Sequence, residues 1–182
     1  MKNIIITIRK YVYYTLFLID NILGIKNELV ILTYHGISKN KNFFNVTEAD
    51  FKSQIKQILQ KYKPINLKDL SNFLLGKEKI KEPSFVLTFD DGYKDVLKVK
   101  SFLESFEIRP TIFVLSDTKK VRRDELKNNS KLLTMKDIKI LIESGWEIGS
   151  HSATHKLLTN LKKSGLEEEV VDSRKTLEKS LS

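Results

Sequence analysis

The chain has no cysteine, which excludes disulfides and thiolate metal sites. The absence leaves the cellular compartment open, because secreted proteins can also lack cysteine. Proline and glycine are scarce, at 3 and 7 of 182 residues, and no low-complexity tract or internal repeat is present. No apolar run reaches the roughly 20 residues a membrane-spanning helix needs. Near the N-terminus, Arg9, Lys10 and Asp20 break the apolar stretch into shorter pieces. A secretory leader fits poorly, since Asp20 and Asn21 stand where small residues should mark cleavage. No zinc-finger spacing, RNA-binding aromatic motif or basic helix is found, so a nucleic-acid partner is not expected.

What is present is ordinary for a folded domain with a real core, with 41% hydrophobic and 30% charged residues in 182. The net charge is +9, with lysine scattered rather than blocked. That balance suits a solvated surface, with attraction to lipid headgroups or acidic polymers as the functional alternative. In residues 1–28, Ile4, Ile8, Val12, Leu16, Ile19 and Leu23 recur at helical spacing. The segment reads as an amphipathic helix that packs on the domain or lies on a membrane face. The expected location is therefore cytoplasmic or membrane-peripheral.

From residue 29 to 182 strand and helix patterns alternate. The strand readings are ELVILTYHG, SFVLTF, TIFVLS and WEIGS. A helix capped by Thr47 should bury Phe51, Ile55, Ile58, Leu59 and Tyr62, and another starts at Asn66 and stops at Gly76. Residues 93–107 suit a helix with Val96, Val99, Phe102, Leu103 and Phe106 inward. Residues 116–130 lack a period and read as a surface loop. A helix runs from Thr134 to Gly145. In the last one, Ser164 and Glu167 form a capping box, with Leu166, Val170, Leu177 and Leu181 on one side. The fold class is α/β, a parallel sheet or barrel of about five strands with outer helices.

In such folds functional groups collect at the carboxyl ends of strands. Three ends carry unusual residues, TYHG, TFDDGY and IGSHSATH, and they hold all three histidines, His35, His151 and His155. On a helical turn the two imidazoles of HSATH share a face and can meet one ion. An aspartate from FDD would complete a site of two histidines and one carboxylate, a pattern used for zinc and related divalent metals. The cation would also make two adjacent carboxylates tolerable. One aspartate would ligate it while its neighbour serves as a general base. Taken singly, Asp-Asp-Gly is a common turn, and an i, i+4 histidine pair is more often a surface feature. Their joint presence at strand ends is what favours a metal site.

TFDDG followed by HSATH resembles the first two motifs of the polysaccharide deacetylases, carbohydrate esterase family four. ILTYHGIS, PTIFV, SGWEIGSHSATH and LTNL resemble members of that family too, over about residues 29–181. The resemblance implies a distorted (β/α) barrel and a divalent metal, usually zinc. It also implies removal of N-acetyl, sometimes O-acetyl, groups from a sugar or polysaccharide. By motif position Asp90 would be the catalytic base, and Asp91, His151 and His155 the metal ligands. Thr88 and Phe89 would shape the strand end, Ser152 and Thr154 would support the ligands or be structural, and His35 receives no role. The family's later motifs, including the one supplying a general acid, are absent. The domain is therefore expected to be a partial barrel lacking its C-terminal strands, truncated and weakly active or inactive. The alternatives are a non-catalytic metal- or glycan-binding remnant and a phosphorylation-receiver module. The receiver lacks the expected strand-end lysine and leaves HSATH unexplained.

Overall fold

Strand β5, Ser84–Phe89, is buried along its whole length, so it lies inside a covered sheet rather than at an edge. The structure, a computed structural model, describes residues 11, 12, 14, 15, 29–39, 45–121 and 132–181. Strand β1, Leu29–Tyr34, pairs in parallel with all of β5. The other flank of β5 is shared. Its first half takes β4, Lys63–Ile65, and its last two residues take β6, Thr111–Val114. Strand β7, Glu147–Ser150, continues the parallel sheet beyond β6. Among the described residues the sheet has five strands with β1 and β7 at its edges, the partial (β/α)-barrel layout expected from the sequence. A short parallel pair, β2 (Gly36–Ile37) and β3 (Asn45–Val46), lies apart from it.

Three of the described helices start where small polar side chains satisfy free N–H groups. Thr47 Oγ1 accepts the Asp50 N–H ahead of α1, Glu48–Ile58, which buries Phe51 and Ile55. Asn66 and Asp69 form a reciprocal capping box at α2, Leu67–Leu74, and Thr134 and Asp137 do the same at α4, Met135–Glu143. Between these, a 3₁₀ turn, Lys94–Val99, leads into the short α3, Lys100–Glu104. The last helical run comprises α5 (Lys163–Leu166), a π-helical stretch (Glu167–Asp172) and α6 (Ser173–Leu181).

The core runs directly beneath the functional end of β5. Tyr34 meets Phe51 edge-on at 4.9 Å, Phe51 lies 5.8 Å from Phe89, and Phe89 stacks on Trp146 at 5.6 Å. Phe89 is the residue before the paired aspartates, so this aromatic row anchors the point where the chain leaves the strand.

Several expectations need correction. Residues 93–107 are not one α-helix, and Phe106 is 38% exposed, packing edge-on to Phe102 at 5.2 Å. The first helical residue of the last run is Lys163, and its N-cap, Lys162, makes no side-chain cap bond, so the Ser164–Glu167 box does not form. Leu166 and Val170 face outward. The buried stripe is Glu169, Ser173 and Leu177 with Leu181 partly covered, a phase that carries polar groups inward. The amphipathic reading of residues 1–28 lies outside the described residues, except Tyr11, Val12, Tyr14 and Thr15, which are helical. The loop read at 116–130 is described only to Val121. Among the described residues no helix is long and apolar enough to cross a membrane.

Candidate metal centre

The chain leaves β5 through a turn that turns back sharply at Asp91 and Gly92, with φ of 68° and 71°. Glycine is the residue this geometry needs, on two counts. Its φ lies in the left-handed region, and a Cβ there would come within 3.0 Å of Val114 Cγ1. The Gly92 carbonyl accepts the Leu133 N–H at 2.8 Å, tying the turn to the start of α4. Thr88 Oγ1 donates to Thr33 Oγ1 at 3.0 Å, and Asp90 N–H donates to the Tyr34 carbonyl at 2.9 Å. The strand end is thus held on both sides, and Asp91 is left buried with 6% exposure.

The two histidines arrive from β7. His151 N–H donates to the Val114 carbonyl at 2.9 Å, extending the ladder by one residue past the strand. The segment that follows is not a helical turn, contrary to the sequence reading. Ser152 and His155 both take left-handed backbone, with φ of 69° and 62°. The loop doubles back instead of coiling, and Ser152 Oγ accepts the His155 N–H at 3.1 Å. Neighbouring N–H groups brace it, Ser116 to the Ser152 carbonyl at 3.3 Å and Asp117 to the Ala153 carbonyl at 3.0 Å. The i, i+4 spacing therefore brings the imidazoles together by a route other than helical periodicity.

The result is a convergence on one point. His151 Nε2 and His155 Nε2 lie 3.1 and 3.0 Å from Asp91 Oδ1. The three ligand atoms all fall within 4.8 Å of one another. Despite those short separations, Asp91 Oδ1 is buried without an aligned hydrogen bond. A buried carboxylate oxygen and two imidazole nitrogens converging on one point could together hold a divalent ion. Burial pushes the Asp91 carboxyl up, but the adjoining His151 and His155 outweigh it and hold the group well below the ordinary carboxylate range. The acid is thus kept ionised, the state in which a carboxylate can bind a cation. Asp90 sits half-buried beside it, and His35 follows the last residue of β1.

Beside the histidines opens a groove of about 1040 Å³. Its wall includes Ser150, His151, His155 and Lys156 on one side and Arg174 and Leu181 on the other. The groove follows the β7 edge of the sheet and reaches the two imidazoles.

Residues 77–182 match the family model for polysaccharide deacetylase. The chain belongs to the polysaccharide deacetylase family. The chain is 28% identical over 150 residues to YxkH of Bacillus subtilis, a protein assigned to the polysaccharide deacetylases. That match takes in 81% of this chain and 50% of the relative, so the chain spans about half the relative's length. Among solved structures, the fold is similar to the Streptococcus pyogenes deacetylase PplD in complex with acetate. The TM-score is 0.70 at 23% identity, covering 84% of this chain and 69% of that one. It is similar also to IcaB from Ammonifex degensii, with a TM-score of 0.71 at 19% identity, covering 86% and 70%. Sequence similarity to the family thus accompanies a shared fold.

One residue at the centre escaped the sequence reading. Glu169 is fully buried and its carboxylate is bonded to the loop between the two histidines. In the sequence it is one of three consecutive glutamates, with nothing to single it out. α-Helical phase does not mark it, because the π-helical stretch Glu167–Asp172 shifts the buried face from the Leu166 and Val170 side to Glu169 and Ser173.

Proposed function

We propose that this chain is a metal-dependent deacetylase that hydrolyses N-acetyl, or O-acetyl, groups on a sugar or polysaccharide, with zinc as its metal. The observation that carries the reading is the meeting of Asp91, His151 and His155 at one centre. A divalent ion bound there would polarise the acetyl carbonyl and lower the pKa of an attacking water. Asp91 would supply the anionic ligand, already ionised, and the two histidines neutral ones. Asp90, next in the chain to a ligand, is the group to take the water's proton, a role worth typically about 10²–10⁴-fold in rate. The groove along β7 leads to the histidines and offers room for a sugar ring. Lys156 and Arg174 on its walls offer donors to hydroxyl and acyl oxygens.

The test pairs metal content with acetate release. Purified chain supplied with zinc should hold about one equivalent and release acetate from N-acetylglucosamine oligomers. His151→Ala and Asp91→Asn should lose the metal, whereas Asp90→Asn should keep it and lose turnover. Zinc bound without acetate release from any acetylated glycan tried would make the chain a non-catalytic remnant. No zinc at all would end the hydrolase reading.

A further inference from the structure

We propose that Glu169 is a positioning residue of the metal centre. Its buried carboxylate holds the 152–155 loop in the shape that aims His151 and His155 at Asp91. The inference rests on the metal-centre reading above and adds a residue from a different element.

Four donors meet this one carboxylate. Oε2 accepts the backbone N–H groups of Ala153 at 3.0 Å and Thr154 at 2.8 Å. Oε1 accepts the Thr154 hydroxyl at 2.5 Å and faces the Lys156 ammonium at 3.2 Å. A carboxylate offers about four acceptor positions, so the donors fill it. Burial pushes the Glu169 carboxyl up, yet the bonds from Thr154 and Lys156 hold it below the ordinary glutamate range, so it remains charged.

The loop needs such an anchor. Ser152 and His155 hold left-handed backbone that non-glycine residues avoid. These strained positions flank the two N–H groups that Glu169 binds, and they adjoin or carry the two imidazoles. Released, the loop could relax toward commoner backbone angles and swing one or both histidines off Asp91. The anchor is itself fixed. Glu169 lies in the π-helical stretch, and four residues on, Ser173 Oγ lies 2.6 Å from Ser150 Oγ of β7. Leu177 then seats the same face in the core. The helix therefore grips the last residue of the strand and the loop after it together.

Glu169→Gln is the informative variant. The amide retains size and can still accept the two backbone N–H groups, but its NH₂ must then face Lys156. The loop should survive in loosened form. Zinc affinity is measured by competition with a chromophoric chelator, and ligand geometry by the visible absorption of the cobalt(II) form. Glu169→Gln should bind zinc about 10–100-fold more weakly and change the cobalt spectrum, as disturbed support of metal ligands does. Ile55→Ala serves as the contrast. It empties a fully buried position of α1, an element that carries none of the metal-centre residues, and should lower the unfolding temperature without altering zinc affinity or the cobalt spectrum of the folded protein. If Glu169→Gln does not fold, Thr154→Val, which removes only the hydroxyl, should shift zinc affinity in the same direction by several-fold. An unchanged affinity and spectrum in the folded variant would overturn the proposal while leaving the metal centre standing. Wild-type protein that binds no zinc would remove both.

Discussion

Replacing Gly92 with alanine should damage the fold and the candidate metal centre together, by an amount the turn geometry sets. Gly92 holds φ of 71°, and left-handed backbone costs a residue with a Cβ about 1–2 kcal/mol. The new methyl would also lie 3.0 Å from Val114 Cγ1, 3.3 Å from its Cβ and 3.4 Å from its Cα. Forcing a carbon into a filled space typically costs about 1–3 kcal/mol. The two effects together amount to about 2–5 kcal/mol, against a usual domain stability of about 5–15 kcal/mol. Val114 is central to the site as well, because its carbonyl accepts the His151 N–H. Pushing Val114 away from residue 92 would displace Asp91 on one side and His151 on the other. Urea unfolding can be followed by the fluorescence of Trp146, the lone tryptophan, which is 3% exposed and stacks on Phe89. Adding Val114→Ala removes the Cγ1 contact at 3.0 Å and keeps those to Cβ and Cα, so it should recover only part of the contact loss and none of the backbone part, and a double-mutant cycle measures the coupling. Gly92→Ala within about 0.5 kcal/mol of wild type, with zinc affinity intact, would refute the reasoning. It would mean that the turn bends freely and is not pinned between Asp91 and β6.

Asp137→Asn tests the cap of α4. Asp137 Oδ2 accepts the Thr134 N–H at 2.9 Å and the Thr134 hydroxyl at 2.6 Å, and pairs with Lys94 at 2.9 Å. Burial raises this carboxyl, but Thr134 and Lys94 prevail and hold it at about 2, below its ordinary 3.8. A depressed folded pKa stabilises above the unfolded value and is lost as pH falls from about 3.8 through about 2. The shift corresponds to at most about 2 kcal/mol, nearer 1 after solvent screening at the half-exposed Lys94. The variant should unfold at lower urea at pH 7, and the gap to wild type should close near pH 2. Phe51→Ala, emptying a fully buried position between Tyr34 and Phe89, should cost about 3–5 kcal/mol in the same assay. Asn66→Ala, which removes the cap of α2, should cost about 1 kcal/mol and leave zinc binding unchanged.

The α/β architecture was legible because its signals are local. An apolar run such as SFVLTF has few alternatives to a covered strand. Thr47, Asn66 and Thr134 cap helices through bonds to residues only three positions away. The motifs TFDDG and HSATH are contiguous too, so their placement at strand ends could be read directly. Strand β4 is only three residues long, too short to show a period, and it goes unread for that reason. Helical phase failed in the last helix because Leu166 and Val170 looked like the apolar side, whereas the buried face places Glu169 and Ser173 inward.

By itself, the sequence determined which residue types with metal-binding chemistry stand at strand ends, where β1, β5, β6, β7 and the capped helices α1, α2 and α4 lie, and which family the chain resembles. Those properties depend on residue type and on bonds spanning a few positions. Tertiary structure alone decided that Asp91 lies within reach of imidazoles 60 and more positions away, through the parallel alignment of β5, β6 and β7. It also decided that the histidine pair sits on a strained loop, and that a glutamate from a later helix occupies that loop's donors. Left-handed backbone and buried charge are unfavourable locally, so no local pattern forecasts them. They persist because contacts distant in the chain outweigh their cost.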